Sequence, residues 1–232
     1  MGKIYVVGLG CNPENDLTKK ACSVLSGCDA IVCNGMVQSL LNEHKEKMII
    51  TEKNAVAERC RIAKQLASEG KSVALACMGD PGVYGVASLV LEEVRNSNIT
   101  VEIVPGITAC LSGAAIIGAP LMQDFAVITL SEGLQKSALD KLRAALDNNF
   151  IVVLYGISNK SSYLFKALEI IRELRPPETA IGIAIDIGDA EQKTEALQLC
   201  DLACDCITQR SILFIGNSST YLNNNRMITP LV

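Results

Sequence analysis

The chain reads as a two-domain α/β protein, with a mostly parallel sheet in its first half and a mixed sheet in its second. Three observations lead there. Short apolar runs at residues 4–7, 30–33, 48–50, 73–77 and 101–104 are separated mostly by gaps long enough for helical crossovers, which parallel strands require. The pattern changes at Gly118-Ala119-Pro120, after which strand-like runs fall at 125–130, 150–155, 180–185, 195–199 and 212–215. The last-but-two and last-but-one of these are joined through Gly188-Asp189, a hairpin signal that makes the second sheet mixed. The boundary is therefore placed to give domains 1–118 and 119–232.

The helices follow from periodicity. Residues 55–69 put Val56, Cys60, Ala63, Leu66 and Ala67 on one face, and Gly70 ends the pattern. A second helix after residue 85 is expected to turn Val86, Leu89, Val90 and Val94 inward. After Thr108 a run of small residues, Ala109, Cys110, Ser112, Gly113, Ala114 and Ala115, permits close approach to a sheet or a ligand. In the second half, 137–148 and 161–175 are helical, the latter stopped by Pro176-Pro177.

Composition narrows the function. The 232 residues carry 21 Lys and Arg against 25 Asp and Glu, a formal net charge of -4. With no basic block, 4% aromatics and no tryptophan, the chain lacks the charge and stacking platforms that nucleic acids need. Hydrophobic residues make up 49%, yet each apolar run is far below the roughly 18 residues that span a bilayer, so no membrane partner is expected. The start, Met1-Gly2-Lys3 followed directly by a strand, has no signal-peptide organisation, and a cytoplasmic location is expected. Ten cysteines then read as reduced thiols. Cys200, Cys204 and Cys206 lie close in sequence, but no CxxC pair occurs and the single histidine, His44, is distant; no metal site is expected. His44 itself, in a polar stretch, reads as a solvated surface residue.

The chemistry-bearing feature is Gly79-Asp80-Pro81-Gly82-Val83-Tyr84-Gly85 behind the run 73–77, answered by Val104-Pro105-Gly106-Ile107-Thr108-Ala109. Both read as tight loops at the carboxyl ends of buried strands, where open α/β sheets hold ligands. Glycine lets a ligand approach the backbone, proline fixes the loop, and Asp80 offers an acceptor to an amine or ribose hydroxyl. Gly, Asp and Pro are also ordinary turn formers, so the inference rests on two such loops behind consecutive strands. A third loop, Gly8-Leu9-Gly10-Cys11-Asn12-Pro13, begins like a dinucleotide fingerprint but has proline where the third glycine belongs. The residues point to a small-molecule cofactor and away from NAD(P).

The order of these motifs, with a Val-Leu-Tyr strand at 153–155 and the closing Ile215-Gly216-Asn217-Ser218-Ser219-Thr220, resembles the tetrapyrrole methylases, which methylate porphyrin-derived rings with S-adenosylmethionine. The likeness covers nearly the whole chain. Residues 118–128 and the Gly-Asn-Ser-Ser-Thr ending look most like the subgroup that methylates carbon 17 of a corrin precursor (precorrin-3B or cobalt-factor III) in cobalamin biosynthesis, with contraction of the ring. The resemblance implies two α/β domains with the cofactor in the cleft between them, a homodimer and a tetrapyrrole substrate. It further implies that Met78, Gly79, Asp80, Pro81 and Val83 hold the methionine and ribose portions of S-adenosylmethionine. Thr108 and Ala109 would close the other side, and Tyr155, Gly156 and Gly188 would come from the second domain. The chain departs from the family pattern at Cys11, where proline is usual, at Gln123, where histidine is common, at 32–37, at 156–159, and in a shortened stretch at Ser131-Glu132-Gly133-Leu134.

In-line transfer from a sulfonium needs alignment and exclusion of water more than an ionised catalyst, which suits a chain whose glycine loops carry no acid–base pair. Asp80 is assigned binding rather than proton abstraction. Lys53, Arg59, Lys160 and Arg210 are candidate cations for the carboxylates of the ring. Three rivals stay open: methylation at another ring carbon, a non-catalytic cofactor-binding sensor, and, more remotely, a nicotinamide-dependent reductase.

Overall fold

The computed structural model describes residues 2–131 and 135–231. The chain divides into two compact units, Met1–Ala109 and Cys110–Val232.

In the first unit, five strands alternate with helices: β1 (Lys3–Gly8), β2 (Ala30–Asn34), β3 (Met48–Thr51), β4 (Ser72–Cys77) and β5 (Thr100–Val104). They form one sheet in the order β3-β2-β4-β1-β5, and every pairing is parallel. Between them lie α1 (Pro13–Asp16), α2 (Lys19–Gly27), α3 (Gly35–Gln38), a 3-10 turn (Asn42–Lys47), α4 (Val56–Ser68) and α5 (Ala87–Glu93). Alternation along each strand sorts the core onto two faces. Val7, Ile31, Cys33, Ala74 and Ala76 pack with Ala21 and Leu25 of α2. Ile4, Val6, Val32, Val73 and Leu75 pack with Cys60, Ala63 and Ala67 of α4 and with Val90 and Val94 around α5. Each large side chain so buried contributes roughly 1.5–3 kcal/mol of transfer free energy.

The end of α4 is the expected one. Gly70 adopts φ +91°, and its N–H donates to the Ala67 carbonyl at 3.0 Å, a left-handed stop that glycine adopts without a Cβ penalty. Two expectations are corrected. Leu89 is 50% exposed, because the short α5 rests on the sheet through Ala87, Val90 and the following Val94. His44 is half-buried, its side chain only 12% exposed with Nε2 at 3.4 Å from Glu43; the 3-10 turn that carries it packs beside β2.

The second unit opens with α6, which spans Ala109–Ile117, then β6 (Gly118–Ala119), β7 (Phe125–Thr129), α7 (Gln135–Asp147), β8 (Ile151–Tyr155) and α8 (Ser162–Leu174). β9 (Ala180–Ile185), β10 (Lys193–Gln198), β11 (Ser211–Ile215), β12 (Tyr221–Asn223) and β13 (Arg226–Ile228) complete it. The main sheet runs β10-β9-β11-β8-β7, parallel between β7 and β8 and antiparallel elsewhere; it is mixed, and β9 and β10 form the hairpin. One face carries α7 and α8 through Leu142, Leu146, Leu164, Leu168 and Ile171. The small residues of α6 serve the other face: a Cβ on Gly113 would meet the Phe214 ring at 3.0 Å, and one on Gly182 would meet Ile117 at 3.0 Å.

A small sheet, β12-β13-β6, was not visible as strands in the sequence. It joins the two segments that carried the subgroup resemblance. Asn217 Nδ2 donates to Gln123 Oε1 at 2.8 Å, and Thr229 Oγ1 donates to the Pro120 carbonyl at 2.7 Å. Of the shortened stretch at 131–134, residues 132–134 lie outside the described residues.

An ion cluster ties three elements of the first unit together. Glu102 on β5 binds Lys3 of β1 at 2.5 Å and also Lys20 of α2. Hydrogen bonds from Lys20 and then Lys3 hold its carboxyl down at about 2, against an ordinary 4.5. The unfolded chain therefore takes up this proton first, and the cluster's contribution is present above pH 4.5 and lost as pH falls through about 2. Thermal melts across that window should show Glu102→Gln losing stability less steeply than the unmodified chain; parallel pH profiles would contradict this.

Candidate cofactor site

The topology of the first unit marks one point on its sheet. β1 and β4 are neighbours, yet the chain leaves β1 toward α2 on one face and leaves β4 toward α5 on the other. Diverging connections open a crevice at the carboxyl ends of such strands. The three glycine loops, after β1, β4 and β5, all end there.

Close backbone contact holds these loops. Gly10 and Gly79 form an antiparallel bridge, with Gly10 N–H donating to the Gly79 carbonyl at 3.2 Å and Gly79 N–H to the Gly10 carbonyl at 2.8 Å. A Cβ on Gly106 would lie 2.2 Å from the Gly79 carbonyl oxygen, and one on Gly8 would lie 2.6 Å from both that oxygen and Gly106 N. No side chain fits at either position. Asp80 pins the assembly: Oδ1 accepts from Gly82 N–H at 2.7 Å and Oδ2 from Gly106 N–H at 3.0 Å. The sequence marked Asp80 as a ligand acceptor; its carboxylate also bridges the second and third loops.

The first loop spends its amides internally. Leu9 N–H donates to the Cys77 carbonyl at 3.0 Å, and Gly10 N–H to Gly79. The amides of Cys11 and Asn12 both donate to Asp16 Oδ2, at 3.0 and 2.9 Å. Asn12 caps α1, its Oδ1 accepting from Glu14 N–H at 3.1 Å, with Pro13 at the first helical positions. A pyrophosphate depends on donors of this kind, and here they are engaged.

Instead the crevice presents a bare α-carbon and apolar groups. Gly79, at φ +66°, has nothing within 4 Å of where a Cβ would stand. Met78, Val83, Tyr84 and Ile107 are exposed along the same edge, whereas Pro81 and Thr108 are buried and Ala109 is half-buried. Tyr84 has φ 52°, a left-handed conformation that costs an L-residue roughly 1–2 kcal/mol. Beneath the loop, burial and the neighbouring Asp80 carboxylate push the Cys77 thiol up to about 12, which keeps it protonated and removes it as a nucleophile.

The second unit gathers its own set. β7, β8 and β9 point the same way, so Tyr155 at the end of β8, Gly156 after it and Gly188 after β9 follow the carboxyl ends of strands on one side of that sheet. Gly156 has φ +63°, and a Cβ there would meet Ser131 Oγ at 2.5 Å; Gly188 has φ +83°. Of the four candidate cations, two are engaged elsewhere. Arg59 is buried, with Nη1 donating to Thr51 Oγ1 at 3.0 Å and to the Glu52 carbonyl at 2.8 Å. Arg210 pairs with Asp186 at 2.6 Å and Asp189 at 2.5 Å, bracing the loop that carries Gly188. Lys53 and Lys160 are exposed. Cys200 is exposed, Cys204 and Cys206 are half-buried, and among the described residues no three ligating side chains come together for a metal.

An open parallel sheet with glycine loops interlocked at its switch point has the architecture of α/β proteins that hold small ligands there. Comparison with known proteins makes this specific: residues 3–203 match the model of the tetrapyrrole (corrin/porphyrin) methylases. The chain belongs to this family of methyltransferases. It is similar to the probable cobalt-factor III C(17)-methyltransferase of Methanocaldococcus jannaschii, at 34% identity over 98% of this chain and 96% of that one. It is also similar to the precorrin-3B C(17)-methyltransferase of a Sinorhizobium species, at 26% identity over 94% and 90%. Among solved structures, that of the methyltransferase CobJ matches with a TM-score of 0.92 and 28% identity, over 99% of this chain and all of the other.

The interlocked loops set an expectation for mutants. Asp80→Ala removes the acceptor of two backbone amides and should cost about 1–3 kcal/mol in urea unfolding; Asp80→Asn, which keeps an acceptor oxygen, should cost less. Gly106→Ala forces a clash with backbone and should cost about 1–3 kcal/mol. Unchanged unfolding midpoints in Asp80→Ala and Gly106→Ala would show that the loops do not depend on these contacts.

Proposed function

We propose that this methyltransferase uses S-adenosylmethionine to methylate a corrin precursor, cobalt-factor III or precorrin-3B, at carbon 17, with the associated ring contraction of cobalamin biosynthesis. The observation that carries the cofactor assignment is the engagement of the first loop's amides. A phosphate-bearing dinucleotide would compete with Gly79, Cys77 and Asp16 for them, whereas S-adenosylmethionine has no phosphate and needs carbonyl and carboxylate acceptors for its amine and hydroxyls. The bare α-carbon of Gly79 and the apolar side chains of Met78 and Val83 suit the methylene groups of its methionine portion and the faces of its ribose.

The residues proposed to hold it are Met78, Gly79, Asp80, Pro81, Val83, Thr108 and Ala109 in the first unit, with Tyr155, Gly156 and Gly188 in the second. When bound, S-adenosylmethionine supplies an electrophilic methyl group on a sulfonium. The chain's own part is to orient: Gly79 lets the ligand seat against backbone, Asp80 keeps the second and third loops in register, and Met78 and Val83 exclude water. None of these acts as an ionised catalyst, and the protonated Cys77 offers no competing acceptor. The carbon-17 assignment rests on the two relatives described above, whose names both specify that position. A homodimer in the cytoplasm completes the proposal; among the described residues no helix is long and apolar enough to cross a membrane.

Incubation of the purified protein with cobalt-factor III or precorrin-3B and S-adenosylmethionine tests the proposal. The expected product carries one new methyl at carbon 17 on a contracted ring, read by NMR after labelling the donor methyl with carbon-13. A methyl at any other carbon would refute the subgroup assignment, and binding of S-adenosylhomocysteine without turnover would favour the sensor.

A further inference from the structure

Among the described residues, five that are not glycine adopt positive φ: Tyr84, Asn149, Asp186, Asn224 and Asn225. Four are Asn or Asp, whose short polar side chains stabilise this conformation locally. Tyr84 is not a short polar residue, and for a bulky residue a positive φ is an outlier. Its loop enforces the conformation. Val83 N–H donates to the Asp80 carbonyl at 3.3 Å and Ala87 N–H to the Pro81 carbonyl at 3.0 Å. The next residue, Gly85, is packed so closely that a Cβ would lie 2.6 Å from the Pro81 carbonyl oxygen. Glycine would meet the backbone demand at position 84 at lower cost, so the aromatic side chain stands there against the local backbone preference. Tyr84 is 54% exposed, whereas Tyr5, the other aromatic residue of the first unit, is half-buried.

We propose that Tyr84 is a substrate-binding residue whose ring stacks on the face of the macrocycle, and that its strained backbone aims the ring there. The inference rests on the function proposed above. For in-line transfer the acceptor carbon must come within roughly 3–3.5 Å of the methyl group, so the macrocycle must cover the edge on which Gly79 and Val83 stand. A flat conjugated ring laid over that edge finds an aromatic face five residues from Gly79, and offset stacking needs no charge. Strain retained at one position is a known mark of functional sites.

Tyr84→Phe, Tyr84→Leu and Tyr84→Gly separate this role from a structural one. Steady-state kinetics with cobalt-factor III, calorimetry with S-adenosylhomocysteine and thermal melts are read together. Tyr84→Phe should keep the tetrapyrrole KM within about twofold, and Tyr84→Leu and Tyr84→Gly should raise it about tenfold or more, guided by the cost of losing an aromatic stack. Affinity for S-adenosylhomocysteine should change less than about twofold in all three, and the Tm of Tyr84→Gly should not fall, because the left-handed position is relieved. Wild-type KM in Tyr84→Gly, or a matching loss of S-adenosylhomocysteine affinity and Tm, would overturn the inference while leaving the proposed function standing. An unmodified protein that neither binds S-adenosylhomocysteine nor methylates the ring would bring down both.

Discussion

Backbone-to-backbone packing of Gly8, Gly79 and Gly106 is the constraint on which the first unit's site depends. Three strands of a parallel sheet end side by side, and their exit loops must pass one another in a space that admits no side chain. The contact turns three separate turns into one surface. It also decides what that surface presents, because amides consumed in loop-to-loop bonds are withdrawn from any ligand. Asp80 follows the same logic: a half-buried carboxylate bonded to Gly82 and Gly106 amides stiffens the floor on which a ligand would sit.

This constraint separates the first loop from a dinucleotide site with a similar opening sequence. A dinucleotide site directs loop amides and a helix N-terminus outward toward phosphates. Here Pro13 starts a helix of only four residues, and Asp16 draws the Cys11 and Asn12 amides inward. The missing third glycine in the sequence was the visible trace of that difference. Asp16 was not legible as its agent, since a lone acidic residue near a turn carries no signal until the loop folds back upon it.

Most strands of the two main sheets were legible because they are apolar runs bounded by turn residues, β10 because a hairpin turn joins it to β9, and α4 and α8 because their periodicity is long enough to read. What the sequence concealed has specific causes. α6 is made of small residues whose pattern has little amphipathic contrast, and its helix is defined by close fit against Phe214 and Ile187 rather than by an apolar stripe. β12, β13 and β6 are two or three residues long, too short for alternation to show. Leu89 looked like core on helical spacing, but α5 is seven residues long and offers the sheet only one narrow face. Arg59 read as a candidate cation for the carboxylates of the ring; Thr51 and the carbonyls of Glu52 and Lys53 at the end of β3 draw it into the protein instead. At the site, the glycines and Asp80 were identifiable as a group, while the strain at Tyr84 and the bracing of the Gly188 loop by Arg210 are properties of folded geometry alone.

A crystal structure of the protein with S-adenosylhomocysteine would show whether the interlocked glycine loops form the floor of the cofactor site. The ligand should lie against the bare α-carbon of Gly79, beside Met78 and Val83, with the Gly10–Gly79 bridge and the Asp80–Gly106 bond intact. Density for the ligand elsewhere on the chain, or a first loop reopened so that its amides face the ligand, would contradict it.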